Sequence, residues 1–198
     1  MRPAHAATLV AWRRGPRGME VLMGRRAARH RFVPHHYVFP GGRLDAADRA
    51  SETRTRLRPQ VQRALCSHCT PQMAHALAVA AARETFEETG LALGAEGSYE
   101  LHHLDYWLRA ITPSSSPIRF HARFFAAEGK HLSGTLRGNG ELLDLDWRPV
   151  DACLKLPIVD VTEFILRRLA AGQGFGDVSL FSFRGARVVV SPRARRKP

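Results

Sequence analysis

The sequence predicts a mixed α/β or α+β domain, in which strands and helices share one core. Apolar and polar residues alternate in several short runs, as in half-buried strands. One long segment carries the composition and the end signals of a helix, and further strand runs and a second amphipathic helix follow it. This order of strands, helix, strands and helix is typical of a sheet covered by helices. With 44% hydrophobic and 24% charged residues, positions 1–198 have the composition of a single globular domain.

The first predicted elements form a hairpin followed by an irregular insertion. The runs AATLVAW (6–12) and MEVLMGRRA (19–27) alternate like strands, and RRGPRG (13–18) supplies the glycine and proline of a turn. HYVFPGG (36–42) is predicted to be a short strand that ends in a tight turn. From Arg43 to Cys69 the chain is polar, arginine-rich and weakly periodic. We expect a partly helical insertion there, which either covers a pocket or forms a dimer contact.

A helix is predicted over TPQMAHALAVAAARETFEETG (70–90). Thr70 is a suitable N-cap, Pro71 suits the first helical position, and Gly90 is a natural C-terminal stop. Three strands are then predicted, and they are followed by a helix and a closing hairpin. The strands are DYWLRAITP (105–113), RFHARFFAAEG (119–129) and ELLDLDWRPV (141–150), the helix is VTEFILRRLAAG (161–172), and the hairpin is SLFSFRGARVVV (179–190).

The net charge of +12 indicates an anionic partner. Such a field attracts nucleic acid, an anionic membrane surface or a small phosphorylated metabolite, and charge alone does not choose among them. No apolar run approaches the roughly 20 residues of a membrane-spanning helix, so we expect no membrane segment. The basic tail at 191–198 is expected to be solvated. Three cysteines favour a reducing, cytoplasmic compartment, and the isolated CSHC (66–69) lacks the further ligands of a structural zinc site.

Three glutamates lie close together near the end of the long helix. At 100° per residue, Glu84, Glu87 and Glu88 share one helix face, where like charges repel each other. One interpretation is a solvated acidic face, with Arg83 pairing to Glu87 four residues on. However, apolar residues occupy both sides of this helix, which indicates that it is sandwiched inside the domain. Half-buried carboxylates need compensation, and a divalent cation such as Mg²⁺ would supply it.

These residues resemble the signature of the Nudix hydrolase family. PGG (40–42) and RETFEETGL (83–91), in a strand–helix–strand context, carry the resemblance. Gly42 matches the leading glycine, and Asp48 stands where the signature has its first glutamate. The chain departs from the signature because 34 residues, rather than seven, separate Asp48 from Arg83, and because Thr85 replaces an aliphatic residue.

The split signature is similar to one branch of the family, the peroxisomal coenzyme A diphosphatases of animals. That branch also carries an insertion, here placed at 49–69, and the resemblance spans roughly positions 6–170. A coenzyme A motif lies upstream of the signature in related enzymes, and this chain matches part of it. Leu22, Arg26, Ala27, Arg31 and FPGG (39–42) match, whereas Met23, Gly24 and His35 depart.

The resemblance implies a Nudix-type α/β/α sandwich with a mixed sheet, and a metal-dependent diphosphatase. It implies that Glu84, Glu87 and Glu88, with the carbonyl of Gly42, hold Mg²⁺ or Mn²⁺. It further implies catalytic roles for Glu84, Glu87, Arg83 and Glu141, and phosphate binding by Arg26 and Arg31. Arg83 would orient a glutamate. The general base stays open between Glu84 and Glu141, with Asp144 as the next candidate.

Three functions remain open at this point. The first is hydrolysis of coenzyme A or an acyl derivative. The second is Nudix hydrolysis of ADP-ribose, dinucleotides or capped RNA. The third is a non-catalytic module that binds a nucleotide or nucleic acid, against which the three intact glutamates argue. We therefore expect an enzyme that acts on a small phosphorylated molecule rather than on nucleic acid. The sequence is also compatible with a homodimer.

Overall fold

The computed structural model describes residues 2–16, 18–29, 32–95, 97–174, 178–185 and 187–192. The strands are Ala4–Gly15 (β1), Gly18–Arg26 (β2), Tyr37–Val38 (β3), Gly41–Arg43 (β4), Leu91–Ala95 (β5), Ser98–Tyr99 (β6), Asp105–Ile111 (β7), Phe120–Glu128 (β8), Leu132–Gly134 (β9), Leu142–Pro149 (β10), Val178–Arg184 (β11) and Arg187–Pro192 (β12). The α-helices are Pro59–Cys66 (α1), Pro71–Thr89 (α2), Val150–Cys153 (α3) and Asp160–Ala170 (α4). Short 3₁₀ helices occupy Ala47–Arg49, Leu101–His103 and Gly129–His131. The predicted basic tail from 193 onwards lies outside the described residues.

The main sheet is mixed, as predicted. Its strands follow the order β10-β2-β1-β8-β7-β11-β12, with β3 beside β2 and β4 beside β1. The β1–β8 and β7–β11 pairs are parallel, and the other pairs are antiparallel. The predicted hairpins β1–β2 and β11–β12 are both present.

The sheet forks between β1 and β2, and this fork positions the glycine turn. The two strands pair only near their turn, from Trp12 opposite Val21 to Gly15 opposite Gly18. Farther from the turn, β1 pairs with β4 instead, and Gly42 lies opposite Ala7. HYVFPGG therefore forms two very short strands, β3 and β4, rather than the single predicted strand.

Helices cover both faces of the sheet, which gives the expected α/β/α sandwich. Alternate residues of β8 point to opposite sides, as strand geometry requires. Phe125 packs with α1 and α2, whereas Phe124 packs with α3 and α4. The two faces thus bury separate apolar clusters of the same domain.

The long helix α2 begins and ends where the sequence predicts. The Thr70 hydroxyl accepts a hydrogen bond from the Met73 N–H, Pro71 opens the helix, and Gly90 ends it in the left-handed region at φ 72°. Residues 76–82 are all buried, so the helix is enclosed around much of its circumference. A helix of this kind carries its polar residues into the interior of the domain at its C-terminal end.

A second, three-stranded sheet of β6, β5 and β9 was not predicted. These strands are short, and Gly94, Gly97 and Gly134 interrupt the alternation that would identify them. The insertion contains α1, as expected of a partly helical segment, and contacts this region through a bridge between Thr55 and Glu100.

Among the described residues, none of the helices combines the length and the apolar character that crossing a membrane requires.

Candidate functional site

Arg83 on α2 joins three acidic side chains. Its Nη1 donates to Glu84 at 2.9 Å and to Glu87 at 3.0 Å, which includes the i,i+4 contact expected from the sequence. Its Nε and Nη2 donate to the two carboxylate oxygens of Asp48 at 2.9 and 3.2 Å. A two-bond arginine–carboxylate contact of this kind fixes orientation as well as charge. Asp48 and the neighbouring acids raise the pKa of Arg83, so the guanidinium stays charged.

Asp48 is the acid that 34 intervening residues separate from Arg83 in the sequence. It is 1% exposed, and its carboxylate also accepts the backbone N–H of Asp45 at 2.7 Å. The chain between Asp48 and Arg83 loops out as the insertion and returns through α2, so the two halves of the split signature meet in space.

Glu88 is the most deeply buried of the three glutamates, with 3% of its surface exposed. Its Oε2 accepts the N–H of Gly41 at 2.8 Å. Burial raises the pKa of Glu88 to about 8, although the Gly41 hydrogen bond and the Arg26 charge work in the opposite direction. A nearby positive charge stabilises the ionised form of a carboxyl group that is buried in this way.

Glu84 lies against the glycine turn. A Cβ at Gly42 would stand 2.4 Å from the Glu84 carboxyl carbon, so a larger residue here would displace this carboxylate. A Cβ at Gly41 would similarly meet the Ala7 carbonyl oxygen at 2.5 Å. Burial raises the pKa of Glu84 as well, ahead of the opposing effect of Arg83. The two adjacent glycines could have indicated that the Gly41 N–H binds a side chain. Nothing in the sequence indicated that Glu88 accepts this hydrogen bond.

Glu141 and Asp144, the two later acids, lie in different surroundings. Glu141 raises the pKa of both Glu84 and Glu88, so it lies within electrostatic reach of the cluster. Asp144 instead accepts a short hydrogen bond from the Tyr37 hydroxyl and pairs with Arg148 at 2.7 Å. The Tyr37 bond lowers the pKa of Asp144. Asp144 is thus bound to other partners, whereas Glu141 lies near the glutamates.

Of the two predicted phosphate-binding arginines, Arg26 lies near Glu88, whose pKa its charge lowers. Arg31 lies outside the described residues. Arg29 was not predicted. It donates to the Gly140 carbonyl at 2.9 Å and so ties the segment after β2 to the loop that carries Glu141.

A cavity of about 780 Å³ lies beside Glu87. It is lined by the end of α2 and by the segment around β9, and Arg137 contributes a positive charge to it. Glu84 and Glu88 lie against the glycine turn, whereas Glu87 is half exposed and borders the cavity. Carboxylates held beside an arginine and next to a cavity suit the binding of a cation with a phosphorylated molecule beside it.

Comparison with known proteins identifies the fold and the family. No family model and no curated protein matches the chain. The fold is similar to the crystal structure of a Nudix hydrolase from Alicyclobacillus acidocaldarius, with 30% sequence identity, 86% of this chain and 92% of that chain covered, and a TM-score of 0.69.

Two more distant structures share the fold. The Nudix domain of Shewanella oneidensis NrtR, solved with ADP ribose, is 12% identical, with 87% and 89% of the two chains covered and a TM-score of 0.55. The MutT Nudix hydrolase from Burkholderia pseudomallei is 19% identical, with 85% and 99% covered and a TM-score of 0.54. The identity to the Alicyclobacillus protein extends over nearly all of that chain, and the chain described here therefore belongs to the Nudix hydrolase family and is a pyrophosphohydrolase.

Proposed function

We propose that this pyrophosphohydrolase cleaves the diphosphate bond of coenzyme A or an acyl-coenzyme A, with Mg²⁺ or Mn²⁺ held by Glu84, Glu87 and Glu88. Nudix hydrolases generally use divalent metal ions. The residues present fit such an ion. Glu88 is 3% exposed and accepts one backbone N–H, and the Glu84 carboxylate lies where a Cβ at position 42 would stand.

The ion would be bound by the three carboxylates, with the Gly42 carbonyl as a further ligand. When bound, it polarises phosphoryl oxygens and lowers the pKa of a bound water. Arg83 is a positioning residue in this proposal. Its bonds to Asp48, Glu84 and Glu87 hold the acids in one arrangement and limit their freedom to rotate. Preorganisation of this kind reduces the cost of reaching the reactive geometry.

For the general base, we propose Glu141 over Asp144. Glu141 raises the pKa of Glu84 and Glu88, whereas Asp144 is engaged by Tyr37 and Arg148. A base near the glutamates can accept the proton of a water that attacks phosphorus. Glu141→Gln is expected to lower kcat with little change in KM, and Asp144→Asn is the matched control.

The observation that carries the substrate assignment is the location of Arg26. This residue belongs to the partial coenzyme A motif, and its charge acts directly on Glu88. A guanidinium beside the carboxylates suits the diphosphate of the substrate. The net charge of +12 suits coenzyme A, which brings a 3′-phosphate as well as its diphosphate.

The test is a substrate panel with Mg²⁺ or Mn²⁺, and with EDTA as the control. Coenzyme A, acetyl-coenzyme A, ADP-ribose, a diadenosine polyphosphate and capped RNA are compared by their products. We expect 3′,5′-ADP from coenzyme A, and none with EDTA. Release of AMP from ADP-ribose with coenzyme A untouched would overturn the substrate assignment but leave the hydrolase intact.

Arg26 provides a second test with a matched control. Arg26→Met is expected to lower kcat/KM for coenzyme A. Arg25→Met should leave it unchanged, because Arg25 is the next residue on β2 and acts on Asp144 and Tyr37 instead. Equal losses in the two variants would contradict a specific role for Arg26.

A further inference from the structure

A second group of potential metal ligands lies around the 3₁₀ helix Leu101–His103. Glu100, His102 and His103 each offer one ligand atom, and these atoms all lie within 4.8 Å of one another. His103 Nε2 lies 3.2 Å from Glu100 Oε2. None of these residues belongs to α2 or to the glycine turn, so the cluster is built from different elements than the glutamate site.

Three imidazole rings pack together here. The His103 and His131 rings stack with centroids 3.6 Å apart and an interplanar angle of 15°, and the His102 and His103 centroids are 3.7 Å apart. This packing places ring nitrogens of His102 and His103 beside the Glu100 carboxylate. Imidazole nitrogen is a common ligand of transition metals.

Two residues of the insertion contact this cluster. The Thr55 hydroxyl lies 2.7 Å from His102 Nδ1 and accepts the His102 backbone N–H at 3.1 Å. The neighbouring Arg54 pairs with Glu100 at 3.4 Å, and its N–H donates to the Tyr99 carbonyl at 2.9 Å. Metal-binding histidines commonly have such an outer partner on the second ring nitrogen, because it fixes the orientation of the ring.

We propose that Glu100, His102 and His103 bind a transition-metal ion of the Zn²⁺ type, with His131 stacked against the site. Zn²⁺ favours imidazole nitrogen and carboxylate oxygen, whereas Mg²⁺ favours oxygen and keeps its waters. Since Thr55 and Arg54 hold two of the ligands, the bound ion fastens the insertion to the segment between β6 and β7.

The test measures zinc bound by the full chain in excess Mg²⁺, which occupies the glutamate site without competing for imidazoles. Metal-free protein is loaded with Zn²⁺, passed through a desalting column and assayed for retained zinc, and affinity is obtained by competition with a chromophoric chelator. We expect the wild type to retain one zinc ion per chain. His103→Gln and His102→Gln should lose it, with circular dichroism to verify folding.

Thr55→Val is the more discriminating variant, because it removes only the hydroxyl behind His102. Loss of such an outer partner is expected to weaken zinc binding by roughly 10- to 100-fold. The matched controls are Cys66→Ser and Cys69→Ser, which remove the other potential zinc ligands of the insertion. Zinc that is lost with the cysteines but kept in the histidine variants would overturn the proposal, as would a wild type that retains no zinc.

Discussion

This domain contains one acidic and one basic cluster, and the two differ in the groups that offset their buried charge. Glu84, Glu87 and Glu88 gather at the end of α2, whereas Arg109, Arg123 and His121 gather on the main sheet. Burial disfavours the charged form in both places. Burial raises the pKa of Glu88 to about 8. It is also the largest cause that lowers the pKa of His121 to about 3, and the charges of Arg123 and Arg109 add to this effect.

In the basic cluster, Arg123 is hydrogen-bonded without a counter-charge, whereas Arg109 Nε and His121 Nε2 are buried and have no hydrogen-bond partner among the described residues. Arg123 is 1% exposed, and its Nη1 bonds to His5 Nδ1 at 3.0 Å and to the His121 carbonyl at 2.9 Å. Within the described residues, no ion pair links Arg123 to a carboxylate. The acidic cluster differs because Glu84 and Glu88 lie against a glycine turn and Glu87 borders a cavity. Desolvated charge alone does not identify a ligand site, whereas carboxylates beside a cavity offer a ligand both oxygen atoms and space.

The substitution with the largest effect removes a carboxylate from the acidic cluster. Glu87→Gln should lower kcat/KM by about a thousandfold, since the loss of metal-based charge stabilisation is worth several kcal/mol. Glu163→Gln is the matched control, because Glu163 likewise pairs with an arginine four residues away, Arg167, at 2.6 Å, but on α4. The measurement is steady-state hydrolysis of a diphosphate substrate. Wild-type turnover in Glu87→Gln would refute the metal assignment.

Next in size is the loss of the Asp48 contact with Arg83. Asp48→Asn removes the charge from a buried partner of Arg83 and should lower the free energy of unfolding by about 2 kcal/mol. Activity should also fall, because Arg83 would hold Glu84 and Glu87 less firmly. Urea unfolding and the same hydrolysis assay measure the two effects. Unchanged stability would mean that the insertion does not depend on this pair.

These first two variants test residues that the sequence identified to different degrees. Helix α2, its caps and the glutamates were predictable because capping residues and helical periodicity are local signals. The place of Asp48 was predictable only as a match to the signature. The hydrogen bonds of Asp48 to Arg83 depend on how the insertion folds back, and 34 intervening residues carry no local signal of that path.

The rest of the site could not be predicted because it arises from pairing between distant segments. Gly41 meets Glu88 only because β4 enters the fork between β1 and β2. The β5–β6–β9 sheet went unpredicted because its strands are short and interrupted by glycine. Arg123 lies on the predicted strand β8. Its burial follows from the packing of α2 against this strand, which the strand pattern does not encode.

A smaller effect is the pH dependence that Glu88 confers on the metal-free protein. The folded-state pKa of about 8 exceeds the ordinary value of 4.5, so the folded chain holds a proton that the unfolded chain releases. The unfolding free energy should therefore fall as pH rises from about 4.5 to about 8. Urea unfolding in EDTA should reveal this fall in the wild type relative to Glu88→Gln. A constant difference between the two proteins across this range would contradict it.

The smallest effect concerns the basic cluster. Arg123→Met replaces a buried cation by an apolar chain of similar length, and the unfolding free energy should change by only about 1 kcal/mol. Because the Arg123 charge lowers the pKa of His121, that pKa should rise in the variant. Nuclear magnetic resonance titration of the His121 ring measures this rise. An unchanged titration would show that burial alone keeps His121 neutral.

Crystals soaked in Mn²⁺ show whether a divalent ion binds among Glu84, Glu87 and Glu88. Anomalous scattering locates manganese without reference to activity. We expect a manganese peak between these carboxylates and the Gly42 carbonyl, and its loss in Glu87→Gln crystals. Wild-type crystals with no peak there, and with the glutamate side chains turned towards solvent, would contradict it.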